Sequence, residues 1–88
     1  MTFKTTVKDQ DGRPVENAFV VANVEETGAT FTRLTDGNGY ADVAILTPVP
    51  AGNHITFVVE ADGFKRNAQY LSAGATDQTI EITLVPFV

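Results

Sequence analysis

The chain has 88 residues, 6 lysines and arginines against 11 aspartates and glutamates, and no cysteine. The scattered cations Lys4, Lys8, Arg13, Arg33, Lys65 and Arg66, under a net charge of −5, exclude a nucleic-acid surface, which needs a basic patch to release counterions, and argue against an anionic membrane. Without cysteine there is no disulfide and no thiolate zinc site, and no run approaches the roughly 20 apolar residues of a membrane helix.

The length predicts one domain, residues 1–88. Thr2 to Lys8 alternates, with Phe3, Thr5 and Val7 on one side, as a half-buried strand does. Asp9 to Pro14 breaks it with Asp, Gly and Pro. Ala18 to Glu26 is a second strand whose first half is apolar on both faces, the mark of a central position. Thr27-Gly28 turns the chain into a third strand, Ala29 to Thr35.

Asp36-Gly37-Asn38-Gly39 is the strongest turn signal in the chain, read as a tight hairpin turn and, against the whole chain, as the central corner of the sandwich. Tyr40 to Leu46 resumes as a strand, with Ala41, Val43 and Ile45 opposite Tyr40, Asp42 and Ala44. Thr47 to Asn53 is a loop, since Pro48 and Pro50 cannot donate to a ladder. His54 to Ala61 alternates with Ile55, Phe57 and Val59 inward. Asp62-Gly63 turns it, and Phe64 to Leu71 is a sixth strand with Phe64, Arg66, Ala68 and Tyr70 on one face. After the polar loop Ser72 to Gln78, Thr79 to Val85 closes the set with Ile80, Ile82 and Leu84 inward.

No window supports a helix. Turn clusters recur roughly every 8–12 residues, which predicts an all-β, immunoglobulin-like antiparallel sandwich of about seven strands. Strands that alternate up and down in an odd number leave the two termini at opposite ends. Asp-Gly pairs begin at residues 11, 36 and 62, but the segments between them do not match, so they are turn punctuation and not an internal repeat.

Three of these turns resemble a known family. Gly12-Arg13-Pro14-Val15-Glu16-Asn17-Ala18-Phe19-Val20 resembles the opening of carboxypeptidase regulatory-like domains, which have an immunoglobulin-like or prealbumin-like sandwich. Thr35-Asp36-Gly37-Asn38-Gly39-Tyr40-Ala41 is similar to that family's Thr-Asp-x-x-Gly-aromatic turn, and Val59-Glu60-Ala61-Asp62-Gly63-Phe64 to its later Ala-x-Gly-aromatic turn. The first strand departs from the pattern, with Thr5 and Thr6 where a glycine is usual. The resemblance implies a non-catalytic stabilising, spacing or adhesive module in a larger secreted, surface or virion protein. Two chemistries of this architecture lack their residues. Transthyretin-like hydrolases use several histidines and a C-terminal Tyr-Arg-Gly-Ser; here there is one histidine and the chain ends Leu84-Val85-Pro86-Phe87-Val88. A Lys–Asn isopeptide bond from Lys4 or Lys8 finds no asparagine between Thr79 and Val85.

The residues themselves give the same answer. Ser72 and His54 are the only serine and histidine, and no spacing brings them together as nucleophile and base. The acids sit mostly in turns, and Glu16, Glu25 and Glu26 read as solvated strand ends, so no carboxylate pair is placed for acid–base work. Asp36, Asn38 and Asp42 offer hard oxygen ligands for calcium, but only the beginning of a loop that would hold it. His54 alone makes no transition-metal site. The expectation is no catalytic residue, no metal site and no cofactor, with Ca2+ the one candidate. Tyr40, Tyr70 and Phe31 are the aromatics free to meet a glycan, while Phe3, Phe19, Phe57 and Phe64 read as core.

Two apolar surface segments stand out as contacts for a partner: Pro48, Val49 and Pro50 in the loop, and Pro86, Phe87 and Val88 in the tail. The expected role is a non-enzymatic structural or interaction module. Met1 with no signal sequence, the lack of cysteine and a fold usual outside cells together point to a bacteriophage virion surface, as a capsid-decoration or tail protein meeting a capsid or tail partner. The alternative is a spacer, stabilising or glycan-binding domain excised from a bacterial secreted enzyme or adhesin, beside neighbouring domains at the cell surface.

Overall fold

The computed structural model describes residues 1–46, 52–74 and 77–87. Seven strands form: β1 (Thr2–Asp9), β2 (Phe19–Val24), β3 (Thr30–Leu34), β4 (Tyr40–Ala44), β5 (His54–Glu60), β6 (Asn67–Ser72) and β7 (Gln78–Leu84). They make two facing sheets, one of order β4-β1-β7 and one of order β3-β2-β5-β6. This is the all-β sandwich that the alternating patterns predict, of the immunoglobulin-like, prealbumin-like kind that the resemblance of the turns implies.

Successive strands reverse direction, so two odd-numbered strands run the same way. β1 and β7 are neighbours, and they pair in parallel from Phe3↔Gln78 to Asp9↔Leu84. All other pairings are antiparallel. One parallel pair therefore sits in a sandwich expected to be wholly antiparallel. It also sends the two ends of the chain to opposite poles of a body 38 Å in its longest dimension.

The inward positions are those that the alternation selects. Phe3, Val7, Val20, Ala22, Val24, Val43, Ile55, Phe57, Val59, Ile82 and Leu84 are sealed from solvent. Burying a side chain of this kind stabilises the fold by roughly 1.5–3 kcal/mol. Phe3 from one sheet meets Phe57 from the other edge-to-face, ring centroids 5.6 Å apart and planes at 76°. β2 is central, as its two apolar faces require. Phe19 is not in the core: it lies on the outer face, 43% exposed. Period-2 alternation forces this, because Ala18, Val20, Ala22 and Val24 already take the inner face.

The two aspartate turns are twins. Asp9 Oδ1 accepts the N–H groups of Asp11 and Arg13, and Asp36 Oδ1 those of Asn38 and Tyr40, each at 2.9–3.0 Å. Each loop then closes on a left-handed glycine, Gly12 (φ 80°) or Gly39 (φ 75°). The structural repeat is thus Asp-x-x-Gly and not the Asp-Gly pair. Of residues 36–39 only Gly39 has positive φ, and the loop is an inter-sheet corner and not a hairpin, since β3 and β4 belong to different sheets.

Thr35 fastens this corner to the long β1–β2 loop. Its buried hydroxyl donates to Val15 O (2.6 Å) and accepts the Ala18 N–H (2.9 Å), while its own N–H donates to Ala18 O and its carbonyl accepts the Asn17 N–H. Thr35→Val keeps the shape and removes the hydroxyl, orphaning two backbone groups. The expected cost is about 2–4 kcal/mol, read as a fall in urea midpoint with an unchanged slope.

On the outer face, Lys8 and Glu81 form an ion pair at 2.8 Å. Their mutual hydrogen bond and attraction raise the Lys8 pKa and lower that of Glu81. Both are solvent-exposed, where such pairs contribute little to stability.

Candidate functional site

All three Asp-Gly turns and the C-terminal tail gather at one pole of the sandwich. Three loops and the tail lie there, and the end of β1 holds two of the loops through the bonds Val7 N–H to Gly39 O (2.8 Å) and Val15 N–H to Val7 O (3.0 Å). The tail is tied down. Lys65 N–H donates to Val85 O (2.7 Å), Phe87 N–H donates to Gly63 O (3.1 Å), and Phe64 bridges Pro86. This explains a correction to the sixth strand, which starts at Asn67 and not at Phe64: the tail, not β5, pairs with residues 63–65.

Between tail and sheet lies an open groove of about 460 Å³. Phe19, Phe64 and Phe87 supply its aromatic surface, and Asn17, Glu60 and Arg66 its polar rim. Glu60 and Arg66 pair at 3.3 Å, both more than half exposed. Asn17 holds a positive φ of 59°, a conformation that asparagine tolerates better than most residues. Phe87 is 66% exposed, a large apolar side chain held in place by its backbone with its ring free. Such a surface binds by burying apolar area around a few oriented polar groups.

Of the expected contacts, Pro86 and Phe87 are therefore at this pole, with Phe87 lining the groove. Pro48, Val49, Pro50 and Val88 lie outside the described residues. The residues flanking the proline loop belong to the other pole, where Ile45 N–H donates to Met1 O and Gly52 N–H to Ala73 O. Phe19 and Phe64 line the groove although their sequence pattern reads as core. Phe64 is half-buried and packs against it, whereas the alternation of β2 already places Phe19 outside.

The register does bring the lone histidine and serine together. His54 and Ser72 are directly opposed on β5 and β6, a juxtaposition that no sequence spacing suggests. Both side chains are exposed, and no hydrogen bond joins them among the described residues. The acids nearest His54 in the fold are engaged elsewhere: Glu25 accepts the Thr56 hydroxyl (3.0 Å), and Glu26 accepts the Asn53 amide. They line a shallower hollow of about 290 Å³ with His54. A base oriented by a third group, which nucleophilic catalysis requires, is not assembled among the described residues.

The calcium candidates also part company. Asp36 turns its Oδ1 to its own loop, and Asp42 lies on β4 opposite Lys4. Among the described residues no three acidic or histidine side chains converge. Tyr40 and Tyr70 stand on the outer faces of opposite sheets, and Phe31 packs against the core, so they do not form one platform.

Comparison with known proteins fits this picture. A sequence model of the carboxypeptidase regulatory-like domain matches residues 2–85. No curated protein sequence matches significantly. Among solved structures, 5-hydroxyisourate hydrolase from Klebsiella pneumoniae superposes with a TM-score of 0.77 at 21% identity, over 99% of this chain and 91% of that one. 3-Chlorocatechol 1,2-dioxygenase from Rhodococcus opacus 1CP gives 0.77 at 11% identity over 97% of this chain, and catechol 1,2-dioxygenase from Acinetobacter sp. ADP1 gives 0.74 at 15% over 99%. The chain spans 59% and 52% of those two dioxygenase chains. At these identities the likeness is one of fold.

Proposed function

The chain belongs to the carboxypeptidase regulatory-like domain family, and from that premise we propose that it is a non-catalytic structural and interaction module, held by one pole and presenting the other. The observation that carries this reading is the parallel β1–β7 pair, which places the start of β1 and the end of β7 at opposite poles of the body. A module so built spaces whatever is attached at either end. The Phe19–Phe64–Phe87 groove then serves as the contact surface at the C-terminal pole.

The setting we propose is the surface of a bacteriophage virion, where the module docks on a capsid or tail protein. A cysteine-free sandwich suits it, because the fold needs no oxidising compartment. Phe87→Ser tests the docking pole while leaving the Phe87 N–H bond to Gly63 in place. The variant is expected to keep its melting temperature within a few degrees and to lose incorporation into particles assembled in its presence. Unchanged incorporation counts against the docking role, and gene neighbours unrelated to capsid or tail proteins count against the setting.

A second reading is a spacer or glycan-binding domain within a larger secreted enzyme or adhesin. It is favoured by the share of larger chains that this fold occupies, 16% in the case of the Bacillus anthracis TIE protein. A glycan array with no bound sugar removes the glycan version.

A further inference from the structure

The sheet of order β3-β2-β5-β6 is one strand wider than the sheet that faces it. Its central strands bury their inward side chains completely, for example Ile55, Phe57 and Val59 on β5. Its edge strands do not: the inward positions of β3 and β6 are half-buried or exposed.

The two overhangs are finished differently. On the β3 side, Arg33 is paired in register with Val20 and so occupies an inward position. A charge on the inner face of an edge strand blocks the addition of another strand. On the β6 side the inward positions, in register with Val59, Phe57 and Ile55, are Asn67, Gln69 and Leu71, all half-buried and none charged. Asn67 Oδ1 is buried and has no hydrogen-bond partner among the described residues, a state that buried polar atoms rarely keep. Beside this overhang, β7 pairs within its sheet, among the described residues, only with β1. The seven residues of β7 contain neither proline nor lysine, the residues that most often guard an edge.

We propose that the β6–β7 flank receives an extended segment of a partner polypeptide as an eighth strand, bonded to the free edge of β7 and laid over Asn67, Gln69 and Leu71. The added strand completes a four-against-four sandwich and satisfies the β7 backbone groups, as in strand-addition recognition. Its inward side chains are uncharged, with an amide donor opposite Asn67 Oδ1 and apolar groups against Leu71 and Ile80. Its outward side chains are neutral or basic, never acidic, because the chain carries a net charge of −5 and the Glu81 carboxylate beside them is already paired with Lys8. A second copy fits less well, because it brings another −5 to a chain of net charge −5.

The test uses the full chain and a synthetic peptide of about nine residues, alternating threonine with valine, with one inward asparagine and lysine at both ends. Amide hydrogen exchange is followed by NMR with the peptide at millimolar concentration. The expected result is that alternate amides of residues 78–84 slow by about tenfold or more. Asn67→Arg, which copies the guard on the opposite flank, is expected to abolish that protection at an unchanged melting temperature. Gln69→Lys serves the same end if Asn67→Arg does not fold. Three results overturn the proposal: β7 amides that keep their peptide-free rates, protection confined to β3 or β4, or protection that rises with protein concentration without peptide, which assigns the flank to a second copy.

Discussion

Phe57→Ala is expected to cost about 3–5 kcal/mol. A sandwich of this size has about 5–10 kcal/mol of stability in all, so the variant loses between a third of it and the whole. The ring is fully buried on β5 and is one of two large aromatics at the centre of the molecule. It meets Phe3 across the interface between the sheets, so its loss opens a cavity where the two layers are held together. β-Sheets cannot close such a gap by a small shift, because the ladders on either side fix the strand positions. The measurement is urea unfolding of the variant beside Leu46→Ala, whose side chain is 81% exposed and whose removal is expected to change stability by less than ~0.5 kcal/mol. The double variant with Phe3→Ala should fall short of the sum of the two single losses by about 0.5–1.5 kcal/mol, the value of an edge-to-face pair. Equal losses for Phe57→Ala and Leu46→Ala would mean that the core is not where the alternation puts it.

That alternation made most of the fold legible. A half-buried strand writes its inner face into every second residue, and β1, β4 and β7 carry such a pattern, as does β5 except at Val58, which is buried on the outer face. What the pattern does not contain is the pairing between strands distant in sequence. The parallel neighbourhood of β1 and β7, the opposition of His54 to Ser72 and the capture of residues 63–65 by the tail all depend on which strands become neighbours. The groove was hidden for a related reason. Phe19 and Phe64 are as apolar as Phe3 and Phe57, and composition cannot say which aromatic a small core has no room for. For Phe19 the answer was present locally: with Ala18 and Val20 inward, the residue between them must point out. For Phe64 it was not, because the residue leaves the strand pattern only through its bridge to Pro86, 22 residues on.

Gly39→Ala is the other large loss, and it sharpens the meaning of the central turn. Three glycines compete for importance in the twin loops, and their surroundings rank them. Gly37 has ordinary backbone angles and open space where a Cβ would sit, so Gly37→Ala should be nearly neutral. Gly12 has a φ of 80° but nothing within 4 Å, so Gly12→Ala should cost only the left-handed strain, about 1–2 kcal/mol. Gly39 has the same strain, and its added Cβ would sit 2.4 Å from the carbonyl oxygen of Val7. That oxygen belongs to backbone that cannot swing away. It accepts the Val15 N–H, and the Val7 N–H donates to Gly39 O. Relieving the clash means parting β1 from the corner and loosening both bonds, which brings the expected cost to about 3–5 kcal/mol. Thermal unfolding of the three alanine variants side by side checks the order Gly37, Gly12, Gly39. If Gly12 and Gly39 prove equally sensitive, the close approach of the corner to β1 is refuted, and the two loops are twins in energy as well as in hydrogen bonding.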